Sequence, residues 1–230
     1  MDNAKRFILK PTFNNLTEQG LNYKDILTYV AIRSYYNTRD KYCYPSYKTL
    51  EKRTGLSSKF ISQSIMRLDK AGYLHVWKLG KGRVQHCYKF PDNGTYHKIP
   101  YDLLEDKSLN PHEKSMLLLL REYCSDDLVS DNSIREIASL SGLTYRTIHK
   151  QFQALTLKGF IRYEEIENTE SKTISKVFGF TDKINWQFND GSIKIVGNSA
   201  FNVDSIIDMW ANSVRCRYAN NKLIAQLQSG

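Results

Sequence analysis

Pro45–Leu74 reads PSYKTLEKRTGLSSKFISQSIMRLDKAGYL, and Asn132–Ile161 reads NSIREIASLSGLTYRTIHKQFQALTLKGFI. Laid one over the other, they align without a gap at a spacing of 87 residues. Ser46/Ser133, Gly55/Gly142, Leu56/Leu143, Ile61/Ile148, Leu68/Leu155 and Gly72/Gly159 are identical. Leu50/Ile137, Thr54/Ser141, Ser57/Thr144, Lys59/Arg146, Tyr73/Phe160 and Leu74/Ile161 are similar. Identity is modest, but apolar, glycine and capping positions recur in register, which is the mark of a repeated structural unit. Upstream, Leu21-Asn22 answers Leu109-Asn110 once a one-residue shift is allowed.

Each copy spells the same series of elements. In the first, Tyr23–Tyr35 reads as a helix with Ile26, Leu27, Val30 and Ala31 on one face. Ser46 is placed to cap a short helix that ends at Gly55. Leu56 bridges a tight turn, and Ser57 caps Ser58–Ala71, whose Ile61, Ile65 and Leu68 form one apolar stripe. Gly72 stops that helix. Tyr73–Leu79 and Val84–Phe90 then alternate around Gly80-Lys81-Gly82, a hairpin signal. In the second copy Pro111 opens a helix containing Met116–Leu120. Ser133 and Glu136 form a capping box, Gly142 ends that helix, and Thr144 caps Tyr145–Lys158. Phe160–Ile166 and Ile174–Phe180 form a second hairpin. Helix, helix, turn, helix, hairpin is the order of a winged helix.

Two short helices joined by a glycine turn let the second lie in a major groove with its N-terminal end toward the base edges. The residues outside the buried stripe are then the candidates for DNA contact. In the first copy these are Ser58, Lys59, Phe60, Ser62, Gln63 and Arg67, with Lys48 on the preceding helix. Lys and Arg suit guanine or phosphate, Gln suits adenine, and Ser is permissive. The second copy offers Tyr145, Arg146, Thr147, His149 and Lys150. The first hairpin carries Lys78, Lys81 and Arg83 among glycines, a basic loop suited to the phosphate backbone or the minor groove. The second carries Glu164, Glu165, Glu167 and Glu170, which DNA would repel. The first copy is therefore expected to grip DNA. The second is expected either to touch it through its helix alone or to serve a protein partner.

At Tyr44-Pro45-Ser46, Leu50, Gly55-Leu56-Ser57, Ile61, Leu68 and Gly72-Tyr73-Leu74 the chain resembles the winged helix-turn-helix module of many phage and plasmid replication proteins. It is also similar to modules of bacterial transcription regulators and primosome-type proteins. The likeness covers about residues 21–90 well and 109–181 more loosely. The sequence departs from the family at Phe60, where a threonine is usual and where Thr147 keeps the pattern in the second copy. Contact with a thymine methyl and simple packing are both open for Phe60. The tandem arrangement resembles plasmid initiators whose two winged helices bind repeated origin sites, and it also suits a phage-encoded regulator.

Bulk properties agree with a DNA partner. Residues 1–98 hold 18 Lys+Arg against 7 Asp+Glu, residues 99–183 hold 11 against 14, and residues 184–230 hold 4 against 3. The net charge of +9 is thus concentrated in the first half, and clustered positive charge attracts polyanions. The apolar run Met116–Leu120 falls far short of the roughly 20 residues that a membrane span needs. The start, MDNAKRFILKP, lacks the apolar core of a secretory signal. Cys43, Cys87, Cys124 and Cys216 form no CxxC pair, which fits a reducing compartment.

Sites with other chemistry are weak. His75, His86 and Cys87 share one hairpin, but His86 and Cys87 are adjacent and point to opposite faces. Cys43 is expected to approach Cys87, because the short strand before the second helix pairs with the last wing strand in this fold. Core packing explains that pair better than zinc or a disulfide. The sequence holds no GxxxxGK[ST], GxSxG, HExxH or His-x-His pattern. Catalytic residues, metal sites and cofactors are therefore all expected to be none.

The reading is a mainly α protein with small β-hairpins (α+β): two tandem winged helix-turn-helix domains plus a C-terminal helical tail. Residues 1–20 form an N-terminal arm whose Arg6–Lys10 stretch suits an edge strand. Residues 21–98 form the basic winged helix, 99–183 the second, and 184–230 the tail. In the tail, Val203, Ile206, Ile207, Trp210 and Val214 recur at helical spacing, and Leu223–Leu227 follows. That helix suits packing on the second domain or contact with a partner. Double-stranded DNA is the expected partner. A homodimer, or replication or transcription machinery, is a further one, reached through domain 2 or the tail. No membrane is expected, and the location is cytoplasmic. Replication initiation, transcription regulation and a winged-helix adaptor role that binds proteins all remain open.

Overall fold

Capping residues and left-handed glycines mark the element boundaries. The computed structural model describes residues 7–80, 85–91, 94–124, 128–130, 132–168, 173–186 and 188. In chain order the elements are β1 (Phe7–Pro11), α1 (Tyr23–Arg33), α2 (Tyr47–Thr54), α3 (Ser58–Lys70), β2 (His75–Leu79), β3 (Gln85–Lys89) and β4 (Tyr96–Pro100). There follow α4 (Tyr101–Glu105), α5 (Pro111–Leu120), a single 3-10 turn (Arg121–Tyr123), β5 (Val129–Ser130), α6 (Ile134–Ser141), α7 (Tyr145–Leu157), β6 (Ile161–Asn168) and β7 (Thr173–Phe180). Among the described residues this is a mixed architecture of helices and small antiparallel sheets. The hairpin strands and the long helices lie where the hydrophobic pattern predicts them, with ends that differ by a residue or two; β6 and β7 run further toward their connection than expected. The tail helix expected at Val203–Val214 falls outside the described residues.

The two copies start and stop their helices in the same way. Asn22 caps α1, with Asp25 closing a capping box, and Asn110 caps α5, with Glu113 closing its own. Ser46 and Ser133 cap α2 and α6, and Ser57 and Thr144 cap α3 and α7. Each cap satisfies backbone N–H groups that the first helical turn leaves unpaired. α2 ends on Gly55 at φ 73° and α6 on Gly142 at φ 71°. That left-handed backbone costs glycine nothing and other residues of order 1 kcal/mol.

The sheets repeat as well. β2 and β3 pair with Trp77 opposite Cys87, and Cys43 bridges to Tyr88. In the second copy β6 pairs with β7, and β5 adds to the far side with Ser130 opposite Phe178. Cys43 and Ser130 are 87 residues apart, so the register of the repeat extends upstream of the quoted segments. β1 pairs with β4 from Phe7↔Pro100 to Pro11↔Tyr96. The segment set apart as an arm therefore carries a strand, and its Phe13 and Leu16 are buried. β4 also runs across the expected boundary between residues 98 and 99.

One continuous apolar cluster runs from Ile8 to Trp186 and takes in both copies. α1 and α5 pack against each other at its centre. This explains the run Met116–Leu120: all five side chains are fully buried, so this part of the helix is covered on every side. The copies also interlock reciprocally. A Cβ at Gly55 would lie 3.1 Å from Pro111, at the start of the other copy's first helix. A Cβ at Gly142 would lie 2.6 Å from the Thr17 hydroxyl, in the segment leading into α1. Leu16 N–H donates to Ser141 C=O (3.1 Å), and the Thr17 hydroxyl donates to Gly142 C=O (2.5 Å).

These contacts separate two kinds of glycine. Gly72 has φ +77° with open space around it, whereas Gly142 has similar φ and the Thr17 contact. Gly72→Ala is expected to cost about 1 kcal/mol from backbone strain alone. Gly142→Ala adds a clash and is expected to cost about 2–4 kcal/mol. Urea unfolding of both variants checks the difference; equal costs would mean that the Thr17 segment gives way freely.

Candidate nucleic-acid interface

The turn between α2 and α3 is fixed by side chains that return to the backbone. The Thr54 hydroxyl donates to Leu50 C=O (2.8 Å) and accepts from Leu56 N–H (3.1 Å). Ser57 Oγ accepts from Phe60 N–H (3.3 Å), and Glu51 Oε1 accepts from Ser58 N–H (2.7 Å). The Ser58 hydroxyl and its N–H hold the Glu51 carboxyl below its usual range. In the second copy Ser141 Oγ accepts from Leu143 N–H (3.3 Å), and Thr144 Oγ1 accepts from Thr147 N–H (3.3 Å). The same short turn thus sets the start of α3 and of α7.

α3 buries Ile61, Ser64, Ile65 and Leu68 and presents its other faces outward. Lys59 and Gln63 are exposed near its N-terminal end, Ser58 and Ser62 are half-exposed beside them, and Lys48 is exposed on α2. Met66 is 64% exposed on α3 and was not among the sequence candidates. It stands three residues after Gln63, and its side chain carries no hydrogen-bonding group that would mark it in the sequence as a base contact.

Two sequence candidates turn inward. Arg67 donates from Nε and Nη2 to the two Asp25 oxygens (2.7 and 2.6 Å). Asp25 is fully buried, and this bidentate pair ties α3 to α1. Phe60 packs against the core, with the Lys24 ammonium 4.4 Å and the Arg67 guanidinium 5.3 Å from its ring centroid.

On the first hairpin Lys78 is exposed, opposite His86. Lys81 and Arg83 lie outside the described residues. On α7, Arg146 and Lys150 are exposed, and Tyr145 stacks on His149 with centroids 5.3 Å apart. The Thr147 hydroxyl is engaged with Thr144 Oγ1 (2.8 Å) as part of the helix cap. Of the acidic second hairpin, the backbone of Glu164, Glu165 and Glu167 lies in β6, while Glu170 lies outside the described residues.

Cys43 and Cys87 are buried free thiols around the Cys43–Tyr88 bridge, and burial pushes the Cys43 thiol up to about 12. Such a thiol stays protonated and behaves as a small apolar group. Among the described residues no cluster of three or more His, Cys, Asp or Glu is placed to hold a metal. No helix among them is long and apolar enough to cross a membrane.

Residues 19–74 match the family model of a helix-turn-helix domain. The match takes in α1, α2, the Gly55 turn, α3 and the Gly72 stop, the part of the chain whose caps and turn are described above. The helix-turn-helix domain supports DNA binding and implies DNA as a partner. A search of curated proteins finds no match. Lys59, Gln63 and Lys48 lie on the exposed side of the helix-turn-helix domain, as such a partner requires.

Proposed function

We infer that this chain is a sequence-selective binder of double-stranded DNA, acting through two winged helices in tandem. The observation that carries the reading is the recurrence of one capped helix-turn-helix, with its hairpin and bridging strand, at a spacing of 87 residues. In the first copy the N-terminal half of α3 reads base edges through Lys59 and Gln63, while the basic hairpin follows the phosphate backbone. In the second copy Tyr145, Arg146 and Lys150 on α7 make the corresponding approach. The protein acts by binding and not by bond-breaking chemistry.

The role that suits two linked readers best is replication initiation of the plasmid or phage type. Two modules on one chain favour a site with repeated elements, since engagement of the first raises the effective concentration of the second. The acidic second hairpin favours a contact with replication proteins on that side. Footprinting on the DNA replicon that encodes the chain tests this. Protection of repeated sites within an origin is the expected result. Protection of a single promoter operator would make it a transcription regulator. No protected site would favour an adaptor that binds proteins.

A further inference from the structure

At the place where the two copies interlock, basic groups gather without acidic partners. Tyr23 on α1 and His112 on α5 join the copies through a hydrogen bond between the Tyr23 hydroxyl and His112 Nδ1 (2.5 Å). Lys24, the next residue, reaches over Phe60 at the start of α3. Burial lowers the His112 pKa, and the charges of Lys24 and of Lys150 on α7 lower it further. α3 packs on α1, α1 on α5 and α5 on α7, so Lys24, His112 and Lys150 are carried on three successively packed helices that lead from α3 to α7. Lys24 is half-exposed, and His112 and Lys150 are exposed.

The carboxylates that would neutralise such a cluster are occupied. Asp25 is bound by Arg67 and by the Asn22 N–H. Glu113, which acts on His112 in the opposite sense, is bound by Lys158 (2.7 Å) and by the Asn110 N–H (2.8 Å). Among the described residues Lys24 and Lys150 make no ion pair. Like charges gathered at a seam without counterions raise the local potential and call for an anion from outside.

We propose that Lys24, His112 and Lys150 form a phosphate-binding seam between α3 and α7, on which one backbone stretch of a single duplex is held between the two reading helices. This rests on the reading of the chain as a duplex binder. The Tyr23 hydroxyl shares a hydrogen bond with His112 Nδ1 across the two copies. With Nδ1 engaged by Tyr23, Nε2 is the ring nitrogen left to meet a phosphate oxygen beside the two ammonium groups.

The test is the salt dependence of duplex binding by the full chain, with Lys24→Gln/Lys150→Gln set against Lys41→Gln/Lys107→Gln, two exposed lysines outside the seam. Each lost phosphate contact removes about 0.9 from the slope of log K against log salt. The seam pair is expected to lower the slope by about 2 and to weaken binding by roughly tenfold or more, while the control pair leaves both unchanged. Added duplex is also expected to raise the His112 pKa, read by imidazole NMR, in the parent chain and not in the seam variant. An unchanged slope in a seam variant that still binds duplex would overturn the seam and leave the duplex reading standing. Equal losses in both pairs would overturn it too, as a general charge effect. A parent chain that binds no duplex would overturn both readings.

Discussion

Replacing Glu122 with Gln is expected to lower stability by about 3–5 kcal/mol, the range for leaving one partner of a buried ion pair alone. The Glu122 side chain is 3% exposed and that of Lys10 fully buried. Its carboxylate pairs with the Lys10 ammonium, accepts from Phe13 N–H (3.0 Å) and faces His97 Nε2 (2.9 Å). One side chain thus fastens β1, β4 and the segment before α1 to the end of α5. Glutamine fits the space but leaves the Lys10 charge unpaired in the core. A domain of this size loses about 2–4 °C of midpoint per kcal/mol, so a thermal shift on the order of 10 °C is expected. Burial pushes the Glu122 carboxyl up, but Lys10 and His97 outweigh it and hold it below its ordinary value of 4.5. The sign follows: the ionised pair stabilises the fold fully above about pH 4.5, and that contribution is lost as pH falls through the lower folded-state value. Parent and variant should therefore differ by a constant amount at neutral pH and converge in acid. A constant difference down to acid pH would mean that the carboxylate charge is not what stabilises the fold.

Reversing Lys78, Lys81 and Arg83 to Glu is expected to weaken duplex binding by roughly 10²–10³ at low salt, because three phosphate contacts become repulsive. Neutralising Arg135 and Arg162, on the side of the second copy, is expected to change it far less. The comparison isolates the first hairpin, since the register Leu79↔Gln85 closes β2 and β3 just before the basic connection. Lys78 is exposed and outside the core, so its reversal does not disturb folding.

The elements that could be read from the sequence are those set by local rules. Ser46, Ser57, Ser133 and Thr144 cap the helices they were expected to cap, and Gly55 and Gly142 take the left-handed backbone that ends α2 and α6. Ile61, Ile65 and Leu68 face inward because their spacing matches one helical stripe. What escaped was long-range. The pairing of β1 with β4 joins residues about ninety positions apart, and neither strand announces its partner. α1 and α5 become central because each is packed on several sides, which periodicity alone does not reveal. Arg67 read as a free cation because its partner Asp25 is 42 residues away and also serves a helix cap. Lys24 and His112 escaped for the same reason: each sits at an ordinary helix start, and only the packing of the two copies brings them together.

Duplex binding through the first copy's helix and hairpin is open to one decisive measurement. Anisotropy titration of the parent chain and the Lys78/Lys81/Arg83 reversal, against random duplex and replicon fragments at two salt concentrations, tests it most directly. Salt-sensitive binding by the parent is expected, with one fragment preferred by ~10³ or more, and loss of that binding in the reversal variant. No duplex binding by the parent at low salt, or equal binding by the two proteins, would contradict it.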